Sequence, residues 1–245
     1  MVQRAIKVAC DRSGRDNGSV RVLAVSKTRS STAIRLAYDS GIENFGENYV
    51  QEAVRKIHEL RDLPLTWHFI GGIQSNKTKD LARYFQWVHS IDRPNIASRL
   101  NAARAEFQPN NPLNVCLQLN LDEEVQKSGV SARDLEELLQ HTKQLMHLRV
   151  RGFMIIPKPN SDSSFIQEGF RQAAELFRKY RDIGDDNWDT LSMGMSNDFA
   201  IAVAEGATLL RLGTVLFGPR GSLQCAIRLP LSVEATWHTH WRLAF

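Results

Sequence analysis

Three cysteines stand in the 245 residues, Cys10, Cys116 and Cys225, far apart and with no CxxC pair. So few and so scattered, they argue against a disulfide framework or a structural zinc and for a reducing compartment. No stretch approaches the roughly 18 apolar residues of a membrane span, and the N-terminal MVQRAIKVACDRSGR is too interrupted for a signal peptide. A cytoplasmic protein is the expectation. No run of five like charges occurs, and the 31 basic and 27 acidic residues leave a formal net charge of only +4. Nucleic-acid and polybasic membrane roles therefore have no support. Internal repeats are absent too, and Gly71 and Gly72 are not part of a GxGxxG, which removes the dinucleotide fingerprint.

What is present is alternation. Apolar, β-branched runs at Val20–Thr28, Asn44–Tyr49, Thr66–Gln74, Trp87–Ile91, Leu113–Leu121, Arg149–Ile156, Trp188–Met193 and Thr208–Phe217 read as eight strands covered on both faces. Amphipathic segments lie between them. After the second strand the stripe is Val50, Val54, Ile57 and Leu60. Pro94 opens a helix with Ile96, Leu100, Ala103 and Phe107, and Ser131 is placed to cap one carrying Leu135, Leu138, Leu139, Thr142 and Leu145. Ser164 and Gln167 have capping-box spacing ahead of Ile166, Phe170, Ala173, Phe177 and Tyr180. Strict alternation over this length predicts a single-domain α/β fold, a (β/α)8 TIM-type barrel over residues 1–220, with a doubly wound open sheet as the alternative. Residues 221–245 have no periodicity and read as a C-terminal tail of unknown role.

Active sites of parallel barrels lie where strands end. The first strand ends AVSKT, which puts Lys27 at the mouth. An amine desolvated there would keep more of its neutral, nucleophilic form, although an amine reaching out to solvent is the plainer explanation of a lone lysine. The last two strands end LSMGMSND and RLGTVLFG, offering Ser192, Ser196, Gly213 and Thr214. Barrels often hold phosphate on the loops after these two strands, where backbone N–H groups converge; capping and turn formation are the simpler roles of the same residues. A lysine and a phosphate cup together point to a phosphorylated aldehyde. The adjacent Asp122, Glu123 and Glu124 read as a solvated loop cluster, and His238 and His240, without a third ligand, make no zinc site.

The motifs AVSKT, FGEN, WHFIGGIQSNK, LQLNLDEEVQKSG, GFMIIP, LSMGMSND and LLRLGTVLFG occur in this order across residues 20–220. Together they resemble the pyridoxal phosphate homeostasis protein family, whose one domain is similar to the N-terminal barrel of alanine racemase, a fold-type III pyridoxal-phosphate protein. The resemblance implies pyridoxal 5′-phosphate as cofactor, with Lys27 forming the Schiff base. Ser192, Ser196, Gly213 and Thr214 would hold the phosphate and Arg211 would face the pyridine nitrogen. Asn48, His68 and Met154 would line the cofactor. Asn76 and Lys77 belong to a motif without an assigned contact. The implied function is buffering or delivery of the cofactor, with apo forms of pyridoxal-phosphate enzymes as partners, a monomeric state, and little or no catalysis. An amino-acid racemase-like enzyme is the alternative, and a barrel for another phosphorylated metabolite a third. A guanidinium beside the pyridine nitrogen disfavours its protonation and weakens the ring as an electron sink. A racemase would then need two placed bases. His68 is the candidate for the second, but on an aromatic-rich strand it reads better as a core imidazole.

Overall fold

The computed structural model describes residues 2–121, 128–158, 161–183 and 187–219. Eight parallel strands close in chain order, β1 (Arg21–Val25), β2 (Asn44–Glu47), β3 (Thr66–Phe69), β4 (Trp87–Ile91), β5 (Leu113–Leu119), β6 (Leu148–Ile155), β7 (Thr190–Ser192) and β8 (Leu209–Leu212), with β8 pairing back onto β1. The open-sheet alternative is thereby excluded. Around the barrel run α2 (Ser31–Asp39), α3 (Val50–Glu59), α4 (Thr78–Tyr84), α5 (Pro94–Phe107), α6 (Leu135–Lys143), α7 (Ser163–Lys179), α8 (Phe199–Ala204) and the single turn α9 (Thr214–Phe217). No helix among the described residues is long and apolar enough to cross a membrane.

The main core lies between the strands and the helix ring. Phe153 of β6 meets Phe177 of α7, Tyr180 just after that helix and Trp188 edge-on, and Phe69 of β3 meets Phe85 in the same way. Edge-to-face contact suits the aromatic quadrupole. A helix the alternation did not reveal, α1 (Val2–Arg12), turns Ile6, Ala9 and Cys10 inward and packs against α8. Arg15, just beyond it, donates to Val203 O at 2.8 Å.

Several local expectations are corrected. The eighth strand stops at Leu212, because Phe217 N and Gly218 N bond four residues back to Gly213 and Thr214. TVLF is therefore a helical turn; an all-apolar run carries no period to tell the two apart. Asp162, not Ser164, caps α7, its carboxylate accepting from Phe165 N. Ser131 accepts from Asp134 N within a turn that precedes α6 instead of capping the helix. On α3 the buried positions are Val50, Ala53 and Lys56, so the core face is rotated from the apolar stripe. Asp122, Glu123 and Glu124, with His238, His240, Cys225 and the whole proposed tail, lie outside the described residues.

Candidate functional site

Inside the barrel, strand alternation stacks side chains in layers. At the N-terminal end the guanidinium carbons of Arg21 and Arg151 lie 5.8 and 4.7 Å from the Trp87 ring centroid, and Arg151 pairs with Asp189. Above this floor Trp87, Cys116 and Met154 form one apolar cluster, and Leu23, Ile70 and Leu209 another with Val25 against it.

A polar chain runs through the middle layer. Arg211 donates from Nη1 to the Ser192 hydroxyl at 3.0 Å; the same hydroxyl lies 3.2 Å from His89 Nδ1. His89 Nε2 lies 2.9 Å from His68 Nδ1, and His68 Nε2 lies 3.0 Å from Asn44 Oδ1. A neutral imidazole has one donor and one acceptor nitrogen. With Asn44 Oδ1 accepting, the polarity is fixed throughout: His68 Nε2 donates to Asn44, His89 Nε2 to His68, and Ser192 to His89, leaving the Ser192 oxygen to accept from Arg211. Burial, reinforced by His89 and Arg21 around His68 and by Arg211 and Arg21 around His89, pushes His68 well below the usual imidazole range and His89 down to about 3. Both rings are therefore neutral at pH 7, and both nitrogens of each are engaged.

Arg211 also donates to Ser192 O at 2.7 Å and Ile155 O at 2.8 Å. Burial brings it down to about 10, which still leaves it cationic at neutral pH. A carboxylate that acts on it, Asp198, is itself occupied by Met195 N at 2.5 Å.

At the C-terminal end four loops meet. β1 pairs with β2 through Val25 opposite Gly46, and two residues further along each strand stand Lys27 and Asn48. Both are partly exposed. Gly71, after β3, presses on this rim: a Cβ there would stand 2.1 Å from Asn48 O, so only glycine lets the two backbones meet. Asn48 Oδ1 is buried with no hydrogen-bond partner, and an orphaned acceptor of this kind marks a place where a donor is missing. On the other side of Lys27, Gly213 packs against Val25, and Thr214 follows it into α9. The β7 loop is tied to the same place, since Ser196 Oγ accepts from Val215 N at 3.4 Å. Gly194, at φ 91°, lets that loop turn where a Cβ would strike Ala202 and Leu210.

Of the nine sequence-derived candidates, Lys27, Asn48, Ser196, Gly213 and Thr214 thus share one rim, with Arg211 buried beneath. Three do not stand there. Ser192, the last residue of β7, is fully buried and bonds to His89 and Arg211. His68 and Met154 are likewise enclosed, the one stacked at 5.2 Å on Trp87 and the other packed with Trp87 and Cys116. Asn76 is exposed on the short turn Ser75–Lys77.

Sequence reasoning missed a cluster on the outer side of the wall. Lys56 of α3 donates to Ser26 O, Glu47 Oε1 and Glu52 Oε1 at 2.8, 2.8 and 2.7 Å. Its side chain is 1% exposed and that of Glu47 0%. Burial pushes the Glu47 carboxyl up against the pull of Lys56. The i,i+4 pair Glu52–Lys56 was the signal available. A depression of about 620 Å³ lined by Thr28, Arg29, Ser30, Gln51, Glu52 and Arg55 adjoins this cluster.

The family model for the alanine racemase N-terminal domain matches residues 4–221. The pyridoxal phosphate homeostasis protein of Pseudomonas aeruginosa is 50% identical over 219 residues, which cover 89% of this chain and 93% of that one. The protein of the same name from Escherichia coli K12 is 45% identical over 226 residues, covering 89% and 94%. Among solved structures, PipY of Synechococcus elongatus with pyridoxal phosphate bound is 40% identical with a TM-score of 0.76, covering 86% of this chain and 98% of that one. Alanine racemase of Corynebacterium glutamicum shares the fold at 16% identity and a TM-score of 0.62, and this chain spans 61% of its length. A closed barrel with this rim and these relatives makes the chain a member of the pyridoxal phosphate homeostasis protein family.

Proposed function

We propose that this protein binds pyridoxal 5′-phosphate at the C-terminal rim of the barrel, takes part in its intracellular homeostasis, and holds it through a Schiff base to Lys27. The observation that carries the reading is the convergence of Lys27, the orphaned Asn48 Oδ1 and the tied Ser196 and Thr214 loops over the buried Arg211. The residues present fit the group: an amine for the aldehyde, hydroxyls and backbone N–H groups of the β7 and β8 loops for the phosphate, and an acceptor awaiting a donor. When bound, the cofactor supplies an aldehyde that condenses with an amine, and a ring that withdraws electrons strongly when its nitrogen is protonated.

Arg211 works against that protonation, because a fixed cation beside the ring disfavours a second one. It cannot swing away, being held by Ile155 O and Ser192 on both amino groups. His68, the imidazole offered as a second base for a racemase, is enclosed with both nitrogens engaged. These features favour holding the cofactor over turning a substrate, and so buffering or delivery to apo-enzymes over racemisation.

The test is an absorbance spectrum from about 300 to 500 nm, before and after borohydride reduction, followed by tryptic mass mapping. A visible band that reduction fixes onto the Lys27 peptide, and that Lys27→Ala loses, is the expected result. A band surviving in Lys27→Ala overturns the anchor. No band after adding pyridoxal phosphate overturns the cofactor and leaves a barrel for some other phosphorylated ligand.

A further inference from the structure

Lys27 sits in a turn held by more than its own closing bond. Ser26 N makes the last ladder bond, to Gly46 O at 3.0 Å, and Arg29 N closes the turn on Ser26 O at 3.0 Å. Within it Thr28 has φ 64°, the one non-glycine residue in that region among those described. A β-branched side chain is strained there, and such backbone persists only where its surroundings over-determine it.

The surroundings are the buried cluster on α3. Thr28 N, which belongs to the peptide directly after Lys27, donates to Glu52 Oε1 at 2.6 Å. On the other flank the Ser26 hydroxyl donates to Glu47 Oε1 at 2.6 Å, and Ser26 O accepts from Lys56 Nζ at 2.8 Å. Lys56 spends all three of its N–H donors on Ser26 O, Glu47 and Glu52. The peptides before and after Lys27 are thus gripped by one ion cluster that never enters the barrel. The bond to Glu52 aims the Lys27–Thr28 peptide, and in a four-residue turn the orientation of this central peptide separates the form with a positive φ at the third residue from the form without it.

We propose that Glu52, backed by Lys56 and Glu47, is the positioning residue for Lys27: it holds the Ser26–Arg29 turn in the one arrangement that presents the amine to the aldehyde. The inference rests on the Schiff-base reading above and adds the device that makes the amine ready. Glu52 touches no reacting atom and acts only through the backbone of Thr28. Imine formation itself joins the Lys27 nitrogen to the aldehyde carbon and releases one water, so no further reactant is needed.

Two ligands separate positioning from folding. Pyridoxine 5′-phosphate carries an alcohol in place of the aldehyde, so it reads the phosphate loops without the amine; pyridoxal 5′-phosphate reads both. In Glu52→Ala, development of the reducible band should slow by about tenfold or more, while pyridoxine 5′-phosphate affinity stays within about twofold of wild type, as expected for loss of an orientation and not of a binding contact. Glu52→Gln, which keeps an acceptor for Thr28 N, should recover most of the rate. An equal loss for both ligands would reduce Glu52 to a structural role and overturn the proposal, as would an unchanged band rate or a Glu52→Gln no better than Glu52→Ala. If the wild-type protein gives no band on Lys27, the Schiff-base reading fails first and visibly, before any Glu52 variant is compared, and this proposal falls with it.

Discussion

Two buried charged regions flank the rim, and they keep charge out of water in opposite ways. On the outer wall Lys56 is met by two carboxylates, Glu47 and Glu52. In the lumen Arg211 meets no carboxylate; two carbonyls and a hydroxyl take its donors, and the polar groups beyond, His89, His68 and Asn44, stay neutral. The first arrangement is rigid because removing either sign strands the other. The second passes the cation's influence along oriented dipoles, with Asp198 attracting it while occupied by Met195 N. On the function proposed above, a carboxylate by the cofactor ring would encourage the protonation that Arg211 opposes. It does no harm on the wall, where the task is to hold a turn.

The comparison breaks most sharply at Lys56. Lys56→Met should cost about 3–5 kcal/mol, because it leaves the enclosed Glu47 unpaired. Adding Glu47→Leu should recover a large part, since a buried pair replaced by apolar groups is often nearly neutral. Urea midpoints of the three proteins read both effects, and failure of the second change to recover stability would show that the pair is not the source of the cost.

Arg211→Met should cost less, about 2–4 kcal/mol, as it strands carbonyl acceptors and no ion. The same denaturation series ranks it against Lys56→Met. A larger loss at Arg211 than at Lys56 would reverse the contrast drawn between the two regions.

The smallest effect is in pH dependence. His89 titrates near 3 in the folded chain against an ordinary value near 6.5, so below about pH 6.5 the unfolded chain binds a proton that the folded one refuses. Its contribution to stability is therefore present above 6.5 and is lost as the pH falls toward 3. His89→Asn removes this proton, and between about pH 5.5 and 4 wild-type stability should fall more steeply than the variant's by up to about 1.4 kcal/mol per pH unit. Parallel curves would mean that His89 is not kept neutral by the fold.

Much of this was legible in the chain. Alternating apolar runs gave eight strands in order, Trp87–Ile91 to the residue, and Pro94 marked the start of α5, because buried parallel strands read as continuous β-branched runs and proline opens helices. Lys27, Ser196, Gly213 and Thr214 could be placed at the rim because they follow strand ends in the sequence, and Asn48 because the family resemblance pointed to it. The charged wall was not legible. Lys56 occupies a core position on α3 that hydrophobic periodicity assigns to its neighbours, Val54 and Ile57, which are only partly buried. His89 passed as one more residue of WVHSI, since nothing in a strand's own sequence says that two other strands aim His68 and Ser192 at it.

By itself the sequence determined the barrel, its strand order and the identity of the residues at its mouth, because hydrophobic period and turn chemistry are local properties. Only the tertiary structure decided which polar side chains point where. It turned Ser192 inward to His89 and Arg211 instead of outward to the β7 and β8 loops, and it brought Glu47, Glu52 and Lys56 against the two peptides that flank Lys27. Such partnerships depend on barrel closure and on the rotation of a helix about its axis, and neither is written in the spacing of residues along one segment.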